Sequence, residues 1–93
     1  LLFNKSALMQ RSPQISQAMG LLSQDFEGMY SGVVELLDTL EIPRGLSDLQ
    51  VPEKNLHIIA EKAFTDAARS TNPVSSSVSE IRELLELSFY KAR

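Results

Sequence analysis

The chain has no cysteine, only one histidine and only four glycines. Without a thiol there is no disulfide framework, no thiolate metal site and no cysteine nucleophile. A cytoplasmic location is compatible with that absence and is the expectation here. The single histidine, His57, has no second imidazole with which to share a metal. Glu53 and Glu61 lie at helical spacing from it but would make only a weak, oxygen-rich site. A packed or surface histidine is therefore the expected role. The glycines never form G-x-G-x-x-G or a phosphate loop, and the many serines include no G-x-S-x-G elbow. No apolar run approaches the ~20 residues of a membrane-spanning helix. Basic residues number 9 against 12 acidic ones, for a net charge of −3. They are scattered, so no stripe neutralises phosphates, and neither nucleic acid nor membrane is an expected partner.

What is present is a chain of 93 residues, 43% of them hydrophobic. That suits one domain or part of one and argues against disorder. Ser12-Pro13 reads as a helix start, Ser12 as the cap, with Ile15, Ala18, Met19 and Leu22 as its apolar stripe and Gly20 as its stop. Phe26, Met29, Tyr30, Val33, Leu36, Leu37 and Leu40 then repeat at three and four, with Ser23 as the expected cap and Pro43 forcing an end. After a connection from Arg44 to Gln50, Pro52 opens a third helix with Leu56, Ile59, Ala60, Ala63, Phe64 and Ala67 facing inward. Arg69 complements its negative pole and Asn72-Pro73 closes it. Ser77 and Glu80 match a capping box that starts a last helix burying Ile81, Leu84 and Leu85 and ending in Lys91 and Arg93.

The spacing thus predicts an all-α fold of about four helices near 12–19, 24–41, 53–70 and 78–91, with 1–93 one helical segment. Met9, Met19 and Met29 read as core fillers. Lys62 with Asp66, and Arg82 with Glu86, are four apart and suit a solvated helix face. Glu35, Asp38 and Glu41 crowd the negative end of the second helix, which points to a neighbouring cation, Arg44 or a group outside this chain. On these grounds alone the function would be that of a free-standing helical protein-interaction module.

The run Ile42-Pro43-Arg44-Gly45-Leu46-Ser47-Asp48-Leu49-Gln50-Val51 adds something more specific. It resembles a signature connection near the end of the iron-containing (group III) alcohol dehydrogenases. There an alanine-rich helix follows, then an aspartate and Asn-Pro, matched here by Ala60, Ala63, Asp66 and Thr71-Asn72-Pro73. A capped last helix comes next, matched by Ser77, Glu80 and Ile81. Leu1-Leu2-Phe3-Asn4 looks like the end of the family helix that follows a metal-binding histidine. Glu41 and Gln50 stand where the family often has glycine, and Val74 replaces an arginine common after Asn-Pro.

The resemblance implies the carboxy-terminal portion of the helical domain of a dehydroquinate-synthase-like, iron alcohol dehydrogenase fold. The parent would transfer hydride between NAD(H) or NADP(H) and an alcohol or aldehyde, with iron or another divalent metal polarising the substrate oxygen. The family's iron ligands, one aspartate and three histidines, would all precede Leu1. The expected partner is therefore the remainder of the parent polypeptide, with a homo-oligomer as a further option. Catalytic, cofactor and metal residues are expected nowhere in this chain. In the family the position matching Ala68 can line the substrate pocket, which implies that the turn from Ala68 to Asn72 faces the cleft. The alternative is that Ala68 packs helix against helix and Asn72 only ends a helix before Pro73. Val34, Ile58 and Leu87 lie off the main helix faces, so the chain alone should expose apolar surface. In titration calorimetry the isolated chain is expected to bind neither iron nor NAD at micromolar concentration. Stoichiometric binding of either would overturn the non-catalytic reading.

Overall fold

Every regular element among the described residues is helical, as the recurrence of apolar residues at three and four implies. A computed structural model describes residues 1–90 of the chain. The expected terminal Lys91 and Arg93 lie outside the described residues. Among the described residues five α-helices form, α1 Lys5–Leu8, α2 Ser12–Ala18, α3 Phe26–Thr39, α4 Leu56–Thr65 and α5 Val78–Tyr90. Short 3₁₀ turns occupy Leu2–Asn4, Glu53–Asn55 and Ala67–Thr71, and there is no strand among the described residues. The first three predicted helices are present in shortened form, the fourth runs from its predicted start through the last described residue, and the brief α1 precedes them. The chain divides into two compact units, Leu1–Ile42 and Pro43–Arg93.

In the first unit, α3 starts at an aspartate rather than at the predicted Ser23. Asp25 has extended backbone, and its carboxylate accepts the Gly28 N–H at 2.7 Å. A cap must sit immediately before the first helical residue to reach the free amides of the first turn. Ser23 is two residues too early, and its hydroxyl instead donates to the same carboxylate oxygen at 3.1 Å. The Gly28 amide and then the Ser23 hydroxyl hold the Asp25 carboxyl below its ordinary range. Phe26 and Met29 are buried, and Tyr30 lies stacked on Phe26 with ring centroids 6.4 Å apart. Lys5 pairs with Glu27 and sits 5.3 Å from the centre of the Phe26 ring.

The buried face of α2 is not the predicted one. Ile15, Ala18, Met19 and Leu22 are all exposed, Leu22 fully so, whereas Ser12 and Ser16 are buried. Ser12 is the first helical residue and not the cap; Arg11 takes the cap position without a side-chain bond. The two serines, four apart, let α2 and α3 approach closely because both hydroxyls are satisfied. Ser12 donates to the Met9 carbonyl and Ser16 to the Asp25 carbonyl, each at 3.0 Å. Of the three methionines expected in the core only Met29 is there; Met9 and Met19 are exposed.

In the second unit α4 packs along α5. Leu56 and Ala60 are buried, with Ile59, Ala63 and Phe64 half-buried beside them, opposite Ile81, Leu84, Leu85 and Phe89. Pro52 opens a 3₁₀ turn at Glu53, and α-geometry begins only at Leu56. The capping box at the start of α5 forms as expected. The Ser77 N–H donates to the Glu80 carboxylate at 2.9 Å, and the Glu80 N–H donates to the Ser77 hydroxyl at 3.1 Å. Arg82 and Glu86 make the expected ion pair across one turn at 3.0 Å. Ile58 and Leu87, off the main faces, are exposed, whereas Val34 is half-buried.

Three turns close in the same way. At α2, Leu21 N–H bonds to Ser16 C=O and Gly20 N–H to Gln17 C=O, with Gly20 at φ 73°. At α3, Ile42 bonds to Leu37 and Glu41 to Asp38, with Glu41 at φ 57°. After the connection, Val51 bonds to Leu46 and Gln50 to Ser47, with Gln50 at φ 59°. This paired closure needs a left-handed residue at its last position, where glycine is strain-free and other L-residues are not. Glu41 and Gln50, two positions where the resembled family often carries glycine, are the two non-glycine residues with positive φ among the described residues. In urea unfolding, Glu41→Gly and Gln50→Gly are each expected to stabilise by about 0.5–1 kcal/mol, strain relief outweighing glycine's entropy. Gly20→Ala should lose about 1–2 kcal/mol through backbone strain, since a methyl there meets nothing within 4 Å. Destabilisation by both glycine substitutions would refute this account of the closures.

Candidate functional site

The segment in question follows α4 and was predicted to be the last turn of one helix reaching residue 70. It is a separate structure. Asp66 takes ψ 135°, which ends α4, and its carboxylate accepts the Ala68 N–H at 2.8 Å. Aspartate competes with helix continuation because its short side chain satisfies a nearby amide in a non-helical conformation. Its carboxylate therefore serves the turn. Hydroxyls stitch the turn: Ser70 donates to the Ala67 carbonyl and Thr71 to the Ala68 carbonyl, both at 2.8 Å. Asn72 is extended, as a residue before proline must be, and its amide donates to the Val74 carbonyl at 2.7 Å.

Ala68 opens this turn and Asn72 closes it. Ala68 is exposed, and Asn72 is half-buried.

The residue that holds the turn is Arg69, which sequence reasoning credited only with offsetting a helix dipole. Its Nε donates to the Phe64 carbonyl at 2.7 Å and its Nη1 to the Ser76 carbonyl at 3.0 Å. Its guanidinium carbon lies 4.1 Å from the centre of the Phe64 ring. One side chain thus joins the last turn of α4 to the residue preceding the Ser77 cap of α5. Residues five apart do not face each other on a continuous helix. Only the break at Asp66 brings Phe64 and Arg69 together, and an aspartate between an apolar helix and Asn-Pro is the signal that would have disclosed it.

Elsewhere the chemistry is structural. His57 is exposed on α4. Glu53 accepts the Tyr90 hydroxyl at 2.6 Å, and this bond, with some desolvation and the charges of Glu53 and Glu86, raises the Tyr90 hydroxyl above its ordinary range. Among the described residues no three His, Cys, Asp or Glu side chains gather where they could hold a metal ion. The residues here therefore do not fit an iron centre. No helix of the described residues is long and apolar enough to cross a membrane.

An alanine-bearing helix ending at an aspartate, then Asn-Pro and a capped last helix, follow in the order that the resemblance to the iron-containing alcohol dehydrogenases implies. Comparison with known proteins agrees. The model of the Fe-containing alcohol dehydrogenase family, C-terminal region, matches residues 1–89. The chain belongs to that family. It is 29% identical over 80 residues to alcohol dehydrogenase 4 of Saccharomyces cerevisiae strain YJM789, covering 86% of this chain and 21% of that protein. The same figures hold for alcohol dehydrogenase 4 of strain ATCC 204508 / S288c. The chain thus spans about a fifth of the length of these curated relatives. No solved structure matches.

Asp66→Ala is expected to cost about 1 kcal/mol, the usual value of a lost cap. It should also raise helical ellipticity, as α4 runs on through Ala67 and Ala68. A drop in helical signal without loss of the folded state would show that Asp66 is not what ends α4.

Proposed function

We propose that this chain is the carboxy-terminal helical part of an NAD(P)-dependent, iron-containing alcohol dehydrogenase of the cytoplasm. It is non-catalytic by itself and supplies part of the wall of the cleft in which substrate is held. The match of the family's C-terminal region to residues 1–89 carries this reading, and the relatives' name, alcohol dehydrogenase, supports it. Residues outside this chain would hold iron and the nicotinamide. The described side chains assemble no donor set for the metal, so the contribution proposed here is shape: a turn of small residues held at fixed height between two packed helices.

Within that wall the contact with substrate is assigned to the turn from Ala68 to Asn72. Ala68 is exposed and backed by rigid neighbours, since its N–H and its carbonyl are both bonded inside the turn. Alanine there leaves room that a larger residue would fill. The exposed Ile58 and Leu87 fit the same picture as surface that the remainder of the polypeptide covers.

The test is Ala68→Leu in the full-length enzyme, assayed on straight-chain alcohols of increasing length. A pocket residue shifts preference toward short substrates by about 1–3 kcal/mol in kcat/KM discrimination, with iron content unchanged. Loss of iron or of folding, with relative preference intact, would assign Ala68 to packing instead.

A further inference from the structure

The structure assigns Arg69 the role of a positioning residue for substrate selection, an assignment that rests on the reading of the Ala68–Asn72 turn as cleft wall. Arg69 lies within the turn yet bonds to neither Ala68 nor Asn72 through its side chain. Its fork spans from the Phe64 carbonyl to the Ser76 carbonyl, 2.7 Å and 3.0 Å away, and its guanidinium carbon lies over the Phe64 ring, 4.1 Å from the ring centre. The first carbonyl is at the end of α4 and the second just ahead of the Ser77 cap of α5. Both helix ends are therefore tied to the middle of the turn by one half-buried side chain.

Asp66 to Ala68, Ser70 to Ala67, Thr71 to Ala68 and Asn72 to Val74 each span two or three residues and set the turn's internal shape. The Asp66 N–H adds a backbone bond to the Ala63 carbonyl of α4 at 3.2 Å. The Arg69 side chain reaches further, to residues five before and seven after, and joins the turn both to α4 and to the residue ahead of the α5 cap. Guanidinium is suited to it: its planar fork offers divergent donors to two carbonyls while stacking on an aromatic face, and an ammonium cannot do all three. Without the clamp the turn keeps its shape and is free to shift, so the pocket wall that carries Ala68 no longer stands at one height. Discrimination among substrates by length depends on that height.

The experiment uses the full-length enzyme with Arg69→Met, which keeps the apolar stem and removes both hydrogen bonds, and Arg69→Lys, which keeps the charge and loses the fork. Ala68→Leu serves as the control. Each is assayed on short and long straight-chain alcohols for kcat and KM separately, with iron content measured. In both Arg69 variants the ratio of kcat/KM between short and long alcohols is expected to collapse by roughly tenfold, about the worth of one methylene of pocket fit. The change should lie mainly in KM, with kcat on the smallest alcohol and iron content within about twofold. Full selectivity in Arg69→Lys would overturn the bridging role, because charge alone would then suffice. Unchanged selectivity in Arg69→Met, with Ala68→Leu shifting as expected, would overturn the inference and leave the pocket reading standing. No shift from Ala68→Leu would remove the pocket reading and this inference with it. If Arg69→Met fails to fold, Arg69→Lys decides; failure of both makes Arg69 a stability residue and overturns the assignment.

Discussion

A chain built of short helices has many helix ends, and each end leaves up to four N–H or four C=O groups without an internal partner. How those groups are satisfied governs the rest of this structure. The clearest case is the C-terminal end of α5. The Leu46 N–H donates to the Ser88 carbonyl at 2.9 Å, and the Ser47 hydroxyl to the Phe89 carbonyl at 2.7 Å. The donors come from a connection more than forty residues earlier in the chain. Their approach demands that the connection lie directly on the helix end. A Cβ on Gly45 would sit 2.8 Å from the Phe89 oxygen and 3.2 Å from the Ser88 oxygen. Glycine is required there by crowding from a distant helix, not by its own dihedrals.

The same demand explains why polar side chains carry so much of the packing. Phe26, Met29, Leu56 and Ala60 are the buried apolar residues among those described, few for a stable core. Ser12 and Ser16 are as deeply buried as these, and each answers a backbone carbonyl. Among the described residues no buried side-chain nitrogen or oxygen is left without a partner. Burying a satisfied hydroxyl is close to neutral, whereas burying an unsatisfied one costs about 1–3 kcal/mol.

The turn after α4 is one more helix end, and its solution places the candidate site. Asp66 stops the helix, Arg69 answers the carbonyl of Phe64, and the side chain that closes α4 also reaches the start of α5. Membership of the iron-containing alcohol dehydrogenase family gives this small device a context: a cleft wall needs a surface of small residues whose position does not drift. On the proposed reading, a residue in such a wall acts through the volume it leaves, so Ala68 would act without bearing any reactive group.

Much was legible in the sequence where the cause is local. The helical period, the Ser77–Glu80 box, the Arg82–Glu86 pair and the left-handed stop at Gly20 all depend on residues within about one helical turn of one another. The family resemblance was legible too, because it rests on the order of short motifs. The burial of Ser12 and Ser16 in place of the Ile15–Met19 stripe was not, since which face of a seven-residue helix is covered depends on its neighbour. Nor was the split at Asp66, where one side chain outcompetes a pattern that runs on through Ala67. The Arg69 clamp and the seating of Gly45 on Phe89 join groups that sequence spacing holds apart. Periodicity and capping are encoded residue by residue and so belong to the sequence. Which donor meets which distant carbonyl is settled only when the helices dock, because a backbone group accepts any donor and only geometry selects among them.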